Sequence, residues 1–321
     1  MLRGRFAPTP SGALHIGNAG TALLAWLAVR NEGGVFILRM EDLDEPRSKP
    51  HYAAGIIDDL QWLGLDWDEG PDVGGSYGPY NQSERREWYE EAFRRLERAG
   101  WLYPCFCSRK DLLQLASAPH GRATEGPVYP GFCRELSEAE RAEKARVKTP
   151  SFRFRLPERT IAFHDLIMGE QSFPPGFGGD FVVKRADGII SYQLAVVVDD
   201  GAMGITQVVR GSDLLDSTPR QILLYEALGL PIPQFAHVPL LCGPDGKRLA
   251  KRHGSMIGLS ALRKAGVKPE AVVGMLAYLY GWLDRPEPVR ACELIGNADV
   301  SRVPVHPITV EDSVIRNLLT S

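Results

Sequence analysis

Long apolar runs are missing from this sequence: no stretch of about 18 consecutive apolar residues occurs, so no membrane span is expected. No apolar segment follows Arg3 and Arg5 either; prolines come next, and no secretory signal is read there. Cysteine is scarce, with five residues unevenly spread. An odd, scattered set fits a reducing cytoplasm better than a disulfide framework, so a cytoplasmic location is expected. Neither sign of charge dominates, since 37 Lys and Arg face 40 Asp and Glu for a net charge of −3. That excludes a chain basic all over, and leaves RNA binding to local clusters of Arg and Lys. Internal repeats and low-complexity tracts are absent. What remains is an ordinary globular composition, 44% hydrophobic and 24% charged over 321 residues, enough for a good core and two or three subdomains.

The first informative stretch is "RFAPTPSGALHIGN", Arg5 to Asn18. Pro8 and Pro10 exclude a continuous strand or helix. Beyond them Ala19, Ala22, Leu23, Trp26 and Val29 follow the spacing of a half-buried helix, which puts His15 and Asn18 in its first turn. A helix N-terminus with unpaired N–H groups and partial positive charge suits a phosphate. "VFILRM" (Val35–Met40) then reads as a buried strand, completing a β-loop-α-β unit with Glu41 and Asp42 at the strand's end. Ligands in open α/β sheets bind outside the carboxyl ends of strands, so these acids should border the same crevice as the proline loop.

Farther on, the pattern predicts a helix over about Ser83–Arg98 stopped by Gly100. From Trp101 to about Gly179 the prolines, glycines and short alternating runs such as "SFRFRL" suggest an inserted β-containing subdomain. "FVVKRADGIISYQL" reads as a hairpin turning near Asp187–Gly188, and "LAVVVDD" (Leu194–Asp200) as a strand. A helix near Ser217–Leu228, a strand Ala236–Leu241 and a mostly helical tail follow, with one helix opened by Pro269.

"APTPSGALHIGN" resembles the HIGH signature of class I aminoacyl-tRNA synthetases, with Asn18 in place of the last histidine. "KRLAKRHGS" (Lys247–Ser255) resembles their partner KMSKS loop, its core being Arg248-Leu249-Ala250-Lys251-Arg252. "RFAPTPSG", "RMEDLD" and "AVVVDDGAMGITQVVRGSD" are similar to the glutamate-specific branch, and the ordered set covers Leu2 to Ile257. Within that branch the chain is similar to the short glutamyl-Q tRNA(Asp) synthetases, which attach glutamate to queuosine in the anticodon of tRNA(Asp).

The resemblance implies an α/β protein: a class I synthetase-like split Rossmann catalytic domain over 1–100 and 180–257, an inserted zinc-containing subdomain over 101–179 and a helical C-terminal region over 258–321. It implies ATP-binding at His15, Gly17, Asn18, Arg248 and Lys251, with His15, Asn18 and Lys251 catalytic and Mg²⁺ accompanying ATP. Glutamate recognition is carried onto Arg5, Phe6, Ala7, Pro8, Thr9, Glu41, Tyr192 and Arg210. The chemistry agrees: arginines form charge-assisted pairs with carboxylates, a carboxylate suits the substrate ammonium, and a tyrosine donates its hydroxyl. Otherwise Arg5 and Arg210 pair with internal acids such as Asp42 or Asp213, while Asp44 and Arg47 are left to bridge each other.

Cys105, Cys107 and Cys133 in "YPCFCSRKD" and "VYPGFCR" offer three thiolates, a set that favours tetrahedral Zn²⁺. Spacing alone leaves the fourth ligand open between His120 and water; the resemblance places Tyr129 there, and the zinc is structural. The implied partners are ATP, L-glutamate and the anticodon stem-loop of tRNA(Asp), with the protein a monomer. Length supports that acceptor, because residues 258–321 are too few for an anticodon-binding module. The rivals are a truncated glutamyl-tRNA synthetase charging tRNA(Glu), a non-catalytic paralogue binding glutamate or RNA, and an unrelated nucleotidyltransferase with a HIGH-like motif.

Overall fold

The computed structural model describes residues 1–108, 129–249 and 258–320. Its first half runs β1 (Arg3–Phe6), α1 (Ile16–Arg30), β2 (Val35–Leu38), α2 (Pro50–Trp62), α3 (Arg86–Arg98) and β3 (Leu102–Cys105). Then come α4 (Glu138–Val147), β4 (Ser151–Phe154), β5 (Ile161–Asp165), β6 (Gly169–Phe173) and β7 (Phe181–Lys184). The second half holds α5 (Tyr192–Ala202), β8 (Gln207–Gly211), α6 (Thr218–Leu228), β9 (Gln234–Val238) and β10 (Leu241–Cys242). The tail adds α7 (Leu259–Lys264), α8 (Pro269–Leu279), β11 (Ile308–Thr309) and α9 (Asp312–Thr320).

β1 and β2 pair in parallel across the α1 crossover, Arg3 opposite Val35 and Phe6 opposite Leu38. β8 lies beside β1, where Thr206 N–H donates to the Arg3 carbonyl at 2.9 Å. β8 and β9 pair in parallel, and β5 joins β9 in parallel at Asp165–Phe235. The two halves of the chain therefore meet at β1 and β8, and the loops at the carboxyl ends of both strands open on the same side. The proline loop is pinned there by backbone bonds, Arg39 N–H to the Phe6 carbonyl and Glu41 N–H to the Pro8 carbonyl, both at 3.0 Å. Separately, β3, β4 and β7 form an antiparallel sheet in that order.

α1 is buried on most of its faces rather than half. The strands cover one side, while Tyr280 and Leu276 of the C-terminal helical part close over Gly20 on the other. Residues 50–62, to which the sequence pattern gave no element, form α2; its Pro50 sits in the first turn, where a missing N–H costs nothing. α3 starts at Arg86 and ends before Gly100, whose φ of +77° is the left-handed stop.

The expectation of a strand at Leu194–Asp200 is wrong: those residues lie in α5. All seven are buried, so the helix has no polar face to create a 3.6-residue period, and three consecutive valines imitate a buried strand. The expected hairpin does turn at Gly188, but its return arm is a single bridge, Lys184 to Ile190, before α5 begins. The strand expected at Ala236–Leu241 starts earlier, at Gln234. The sheets also do not divide at residue 180: β5 and β6 extend the sheet of β8 and β9, while β7 pairs with β4.

Candidate active site and metal centre

A cavity of ≈ 520 Å³ opens at the carboxyl ends of β1 and β8. The structure brings to its walls Arg5 and Phe6 from the end of β1, Ala7, Pro8 and Thr9 from the proline loop, then His15, Gly17 and Asn18 from the start of α1. Glu41, Tyr192, Arg210 and Arg248 complete the set from four separate segments. Every described residue expected to bind glutamate or ATP lines this one space. Lys251, with Ala250 and Arg252, lies outside the described residues, as does His120.

His15 is the N-cap of α1. Its Nδ1 accepts from Gly17 N–H at 3.1 Å and Asn18 N–H at 3.4 Å, and Asn18 Oδ1 accepts from His15 N–H at 3.2 Å. The helix end is therefore capped from within, and these two amides are not the open anion site that the sequence pattern suggested. With Nδ1 an acceptor, the neutral ring carries its proton on Nε2. Asn18 gains a clear role in holding the imidazole. A Cβ at Gly17 would stand 3.0 Å from the ring carbon Cε1, so a side chain there would crowd the His15 imidazole.

The glutamate end of the cavity rests on a buried ionic network that the sequence reading missed. Arg5 Nε donates to both oxygens of Asp200, at 3.2 and 3.3 Å. Asp200 also receives Arg39 Nη1 at 2.7 Å, and Arg39 Nη2 reaches Glu41 at 3.2 Å. Asp199 is held by Arg85 Nε at 2.6 Å, Gln82 at 2.7 Å and the Tyr89 hydroxyl at 2.9 Å. Three guanidiniums thus face three carboxylates, all buried. Burial alone would raise the Asp200 carboxyl, but Arg5 and Arg39 bring it below the usual range. Glu41 goes the other way, raised by burial more than Arg39 and Arg5 lower it. Among the described residues Nη1 and Nη2 of Arg5 have no hydrogen-bond partner, so the cavity end of that guanidinium is available.

Arg210 is 4% exposed and is held by neutral groups. Its Nε donates to His237 Nε2 at 3.0 Å, Nη1 to Gln221 at 2.7 Å and Nη2 to Thr218 Oγ1 at 2.8 Å. No carboxylate among the described residues reaches it at ion-pair distance. Burial, reinforced by Arg5 nearby, lowers its pKa. Asp213, offered above as a partner for Arg210, instead pairs with Arg248, another residue of the cavity lining. Asp42, offered for Arg5, accepts from Ser83 N–H and Oγ at 2.8 and 2.7 Å. Asp44 and Arg47 do bridge each other, at 3.8 Å and exposed.

Away from this cavity, Cys105, Cys107 and Cys133 have their Sγ atoms within 4.8 Å of one another. Cys107 and Cys133 sulfurs are 3.8 Å apart, and the Tyr129 oxygen lies 3.5 Å from Cys105 Sγ and 3.8 Å from Cys107 Sγ. Tetrahedral zinc with Zn–S bonds of about 2.3 Å separates its sulfurs by about 3.8 Å, so the group fits that ion. Burial raises the Cys105 thiol, but hydrogen bonds from Tyr129 and Arg153 outweigh it and bring it below its ordinary value. Cys242 and Cys292 stand apart from this cluster.

Comparison with known proteins gives the family. The family described as tRNA synthetases class I (E and Q), catalytic domain, matches residues 1–316. The chain is 64% identical over 319 residues to a glutamyl-Q tRNA(Asp) synthetase of Symbiobacterium thermophilum, covering 99% of this chain and 98% of that one. It is 47% identical over 280 residues to a glutamate–tRNA ligase of Alkalilimnicola ehrlichii, covering 87% of this chain and 58% of the other. The crystal structure of glutamate-tRNA synthetase from Elizabethkingia anophelis superimposes with a TM-score of 0.85 at 33% identity, over 99% of this chain and 69% of that one.

Proposed function

We infer that this chain, which belongs to the class I tRNA synthetases for glutamate and glutamine, is an ATP-dependent ligase that activates L-glutamate and transfers the glutamyl group to tRNA. The acceptor we propose is queuosine in the anticodon stem-loop of tRNA(Asp), with the protein acting as a cytoplasmic monomer. Near-full-length identity of 64% to a glutamyl-Q tRNA(Asp) synthetase supports this acceptor over the 3′ end of tRNA(Glu). The observation that carries the substrate is Arg210, a buried cation at the cavity wall with no carboxylate partner among the described residues.

In this reading the two carboxylates of glutamate meet Arg5, through the two nitrogens that Asp200 leaves unused, and Arg210. Glu41 takes the substrate ammonium and Tyr192 donates its hydroxyl, while the backbone of Phe6 to Thr9 shapes the floor. ATP lies along His15, Gly17 and Asn18, with Arg248 and Lys251 as its cationic contacts and Mg²⁺ accompanying it. The glutamate carboxylate attacks the α-phosphorus and pyrophosphate departs. His15 Nε2–H and Lys251 stabilise the charge that moves onto the phosphates, so catalysis is positioning and electrostatic stabilisation. A hydroxyl of the tRNA then attacks the acyl carbon of the adenylate and AMP leaves. Pyrophosphate exchange driven by glutamate and ATP without any tRNA is the expected activity. No exchange above blank in folded enzyme would contradict independent activation.

Cys105, Cys107, Cys133 and Tyr129 would hold one zinc ion, which ties residues before and after the 109–128 segment to β3. The site stands apart from the catalytic cavity, so its role in this reading is structural. Metal analysis of native protein is expected to find about one zinc per chain, lost in Cys105→Ser. Protein prepared without chelators and free of zinc would contradict the assignment.

A further inference from the structure

Among the described guanidiniums at the cavity, Arg210 alone leans on a histidine, and that histidine is itself held in one state. His237, in β9, is fully buried and presents Nε2 to Arg210 Nε–H at 3.0 Å. Its other nitrogen, Nδ1, lies 2.6 Å from Asp165 Oδ2 at the end of β5. Asp165 is also fully buried; its Oδ1 accepts from the backbone N–H of His237 at 3.1 Å, Ile167 at 3.0 Å and Met168 at 2.9 Å. Those three bonds lock the carboxylate, which leaves Oδ2 facing Nδ1.

An ionised carboxylate only accepts, so Nδ1 must carry the proton and Nε2 must bear the lone pair. That lone pair is what Arg210 Nε–H needs. The opposite tautomer would turn a second N–H toward Arg210. It would also compete with Arg210 Nη2 for Thr218 Oγ1, which lies 3.1 Å from Nε2. Burial lowers the pKa of His237 despite Asp165, and the Arg210 charge adds to the fall, so the ring stays neutral.

We propose that Asp165 and His237 are positioning residues that set the guanidinium of Arg210 for the substrate carboxylate by fixing the histidine tautomer. The inference rests on the reading of Arg210 as a glutamate contact. Neither residue lines the cavity, and neither touches the reacting atoms. Their effect is confined to how the guanidinium is presented.

Asp165→Asn tests it with almost no change in volume. The amide oxygen can keep the three backbone N–H groups, which places the amide N–H₂ against Nδ1 and forces the proton onto Nε2. Expected results are a tautomer switch in the ¹H–¹⁵N spectrum of the imidazole and a glutamate KM raised roughly 10- to 100-fold, the scale of one hydrogen bond to a charged group. The ATP KM and the melting temperature should stay near wild type, an outcome that a purely structural role would not give. A folded variant with switched tautomer and unchanged glutamate KM would overturn the proposal. The wild-type spectrum is decisive even if the variant misfolds: at pH 7.5 His237 must be the Nδ1–H tautomer, and Nε2–H or imidazolium overturns it. If Arg210→Gln itself leaves the glutamate KM unchanged, the parent reading fails; if that variant raises KM and Asp165→Asn does not, only the present inference fails.

Discussion

Arg210→Gln is expected to raise the glutamate KM roughly 30-fold to several-thousand-fold, with the ATP KM nearly unchanged. Truncating one member of a desolvated, hydrogen-bonded charge pair costs about 2–5 kcal/mol, and each 1.4 kcal/mol is about a factor of ten. Arg210 brings a buried cation to the wall without a carboxylate partner among the described residues, and the substrate supplies the missing charge. Folding should not suffer. Glutamine at this position removes an uncompensated buried charge and keeps polar atoms near Gln221 and Thr218, so the melting temperature should hold or rise. Lost glutamate use without lost stability is the signature of a residue placed for a ligand. Discrimination follows from the same geometry. The amide of glutamine gives a guanidinium no counter-charge, and aspartate is one methylene too short to span Arg5 and Arg210. A pyrophosphate-exchange assay that finds the mutant KM unchanged, or glutamine used as well as glutamate, would remove Arg210 from the pocket assignment.

The parts of the site legible in the sequence are those written in short segments. Arg5 to Thr9, His15 to Asn18 and Glu41 lie at the end of β1, the start of α1 and just beyond β2, where proline, glycine and the apolar period mark a crevice, although their individual roles came from motif resemblance. Tyr192, Arg210 and Arg248 came from motif resemblance alone, with no local pattern pointing to a crevice, and the structure places them on the same cavity. What stayed hidden depends on pairing across the chain. Arg39 and Asp200 are separated by 161 positions yet meet at 2.7 Å, and no local period encodes such a pair. Asp199 and Asp200 were visible as letters but were read at the end of a strand; on a helix their carboxylates point into the interior, where Arg5, Arg39 and Arg85 meet them. α2 escaped because only Ile56, Asp59 and Leu60 are buried along it, too few to set a period. His237 looked like any residue of a buried strand, and only the fold brings it between Asp165 and Arg210.

Arg5 has a double role in this architecture. Its Nε closes the buried network through Asp200, and the same residue lines the cavity. A site fixed by paired charges is rigid before substrate arrives, so little binding energy is lost to ordering it. Arg210, held by neutral groups among the described residues, supplies the unbalanced charge that makes the pocket select an anion. The balanced network positions; the unbalanced arginine recognises.

The second large effect concerns the acceptor, where the expected contrast is nearly all-or-none. Transfer needs a hydroxyl to attack the adenylate, and the queuosine ring provides one that an unmodified guanosine base does not. The same enzyme and the same adenylate should therefore label one tRNA and spare the other. The rival reading, charging of the 3′ end of tRNA(Glu), predicts the opposite pattern, because that terminus is present whatever the anticodon carries. The measurement is transfer of radiolabelled glutamate to three RNAs under one set of conditions: tRNA(Asp) with queuosine, tRNA(Asp) without it, and tRNA(Glu). Label entering only the queuosine-containing tRNA(Asp) is the result predicted here, and label entering tRNA(Glu) while queuosine-containing tRNA(Asp) stays at background would contradict it.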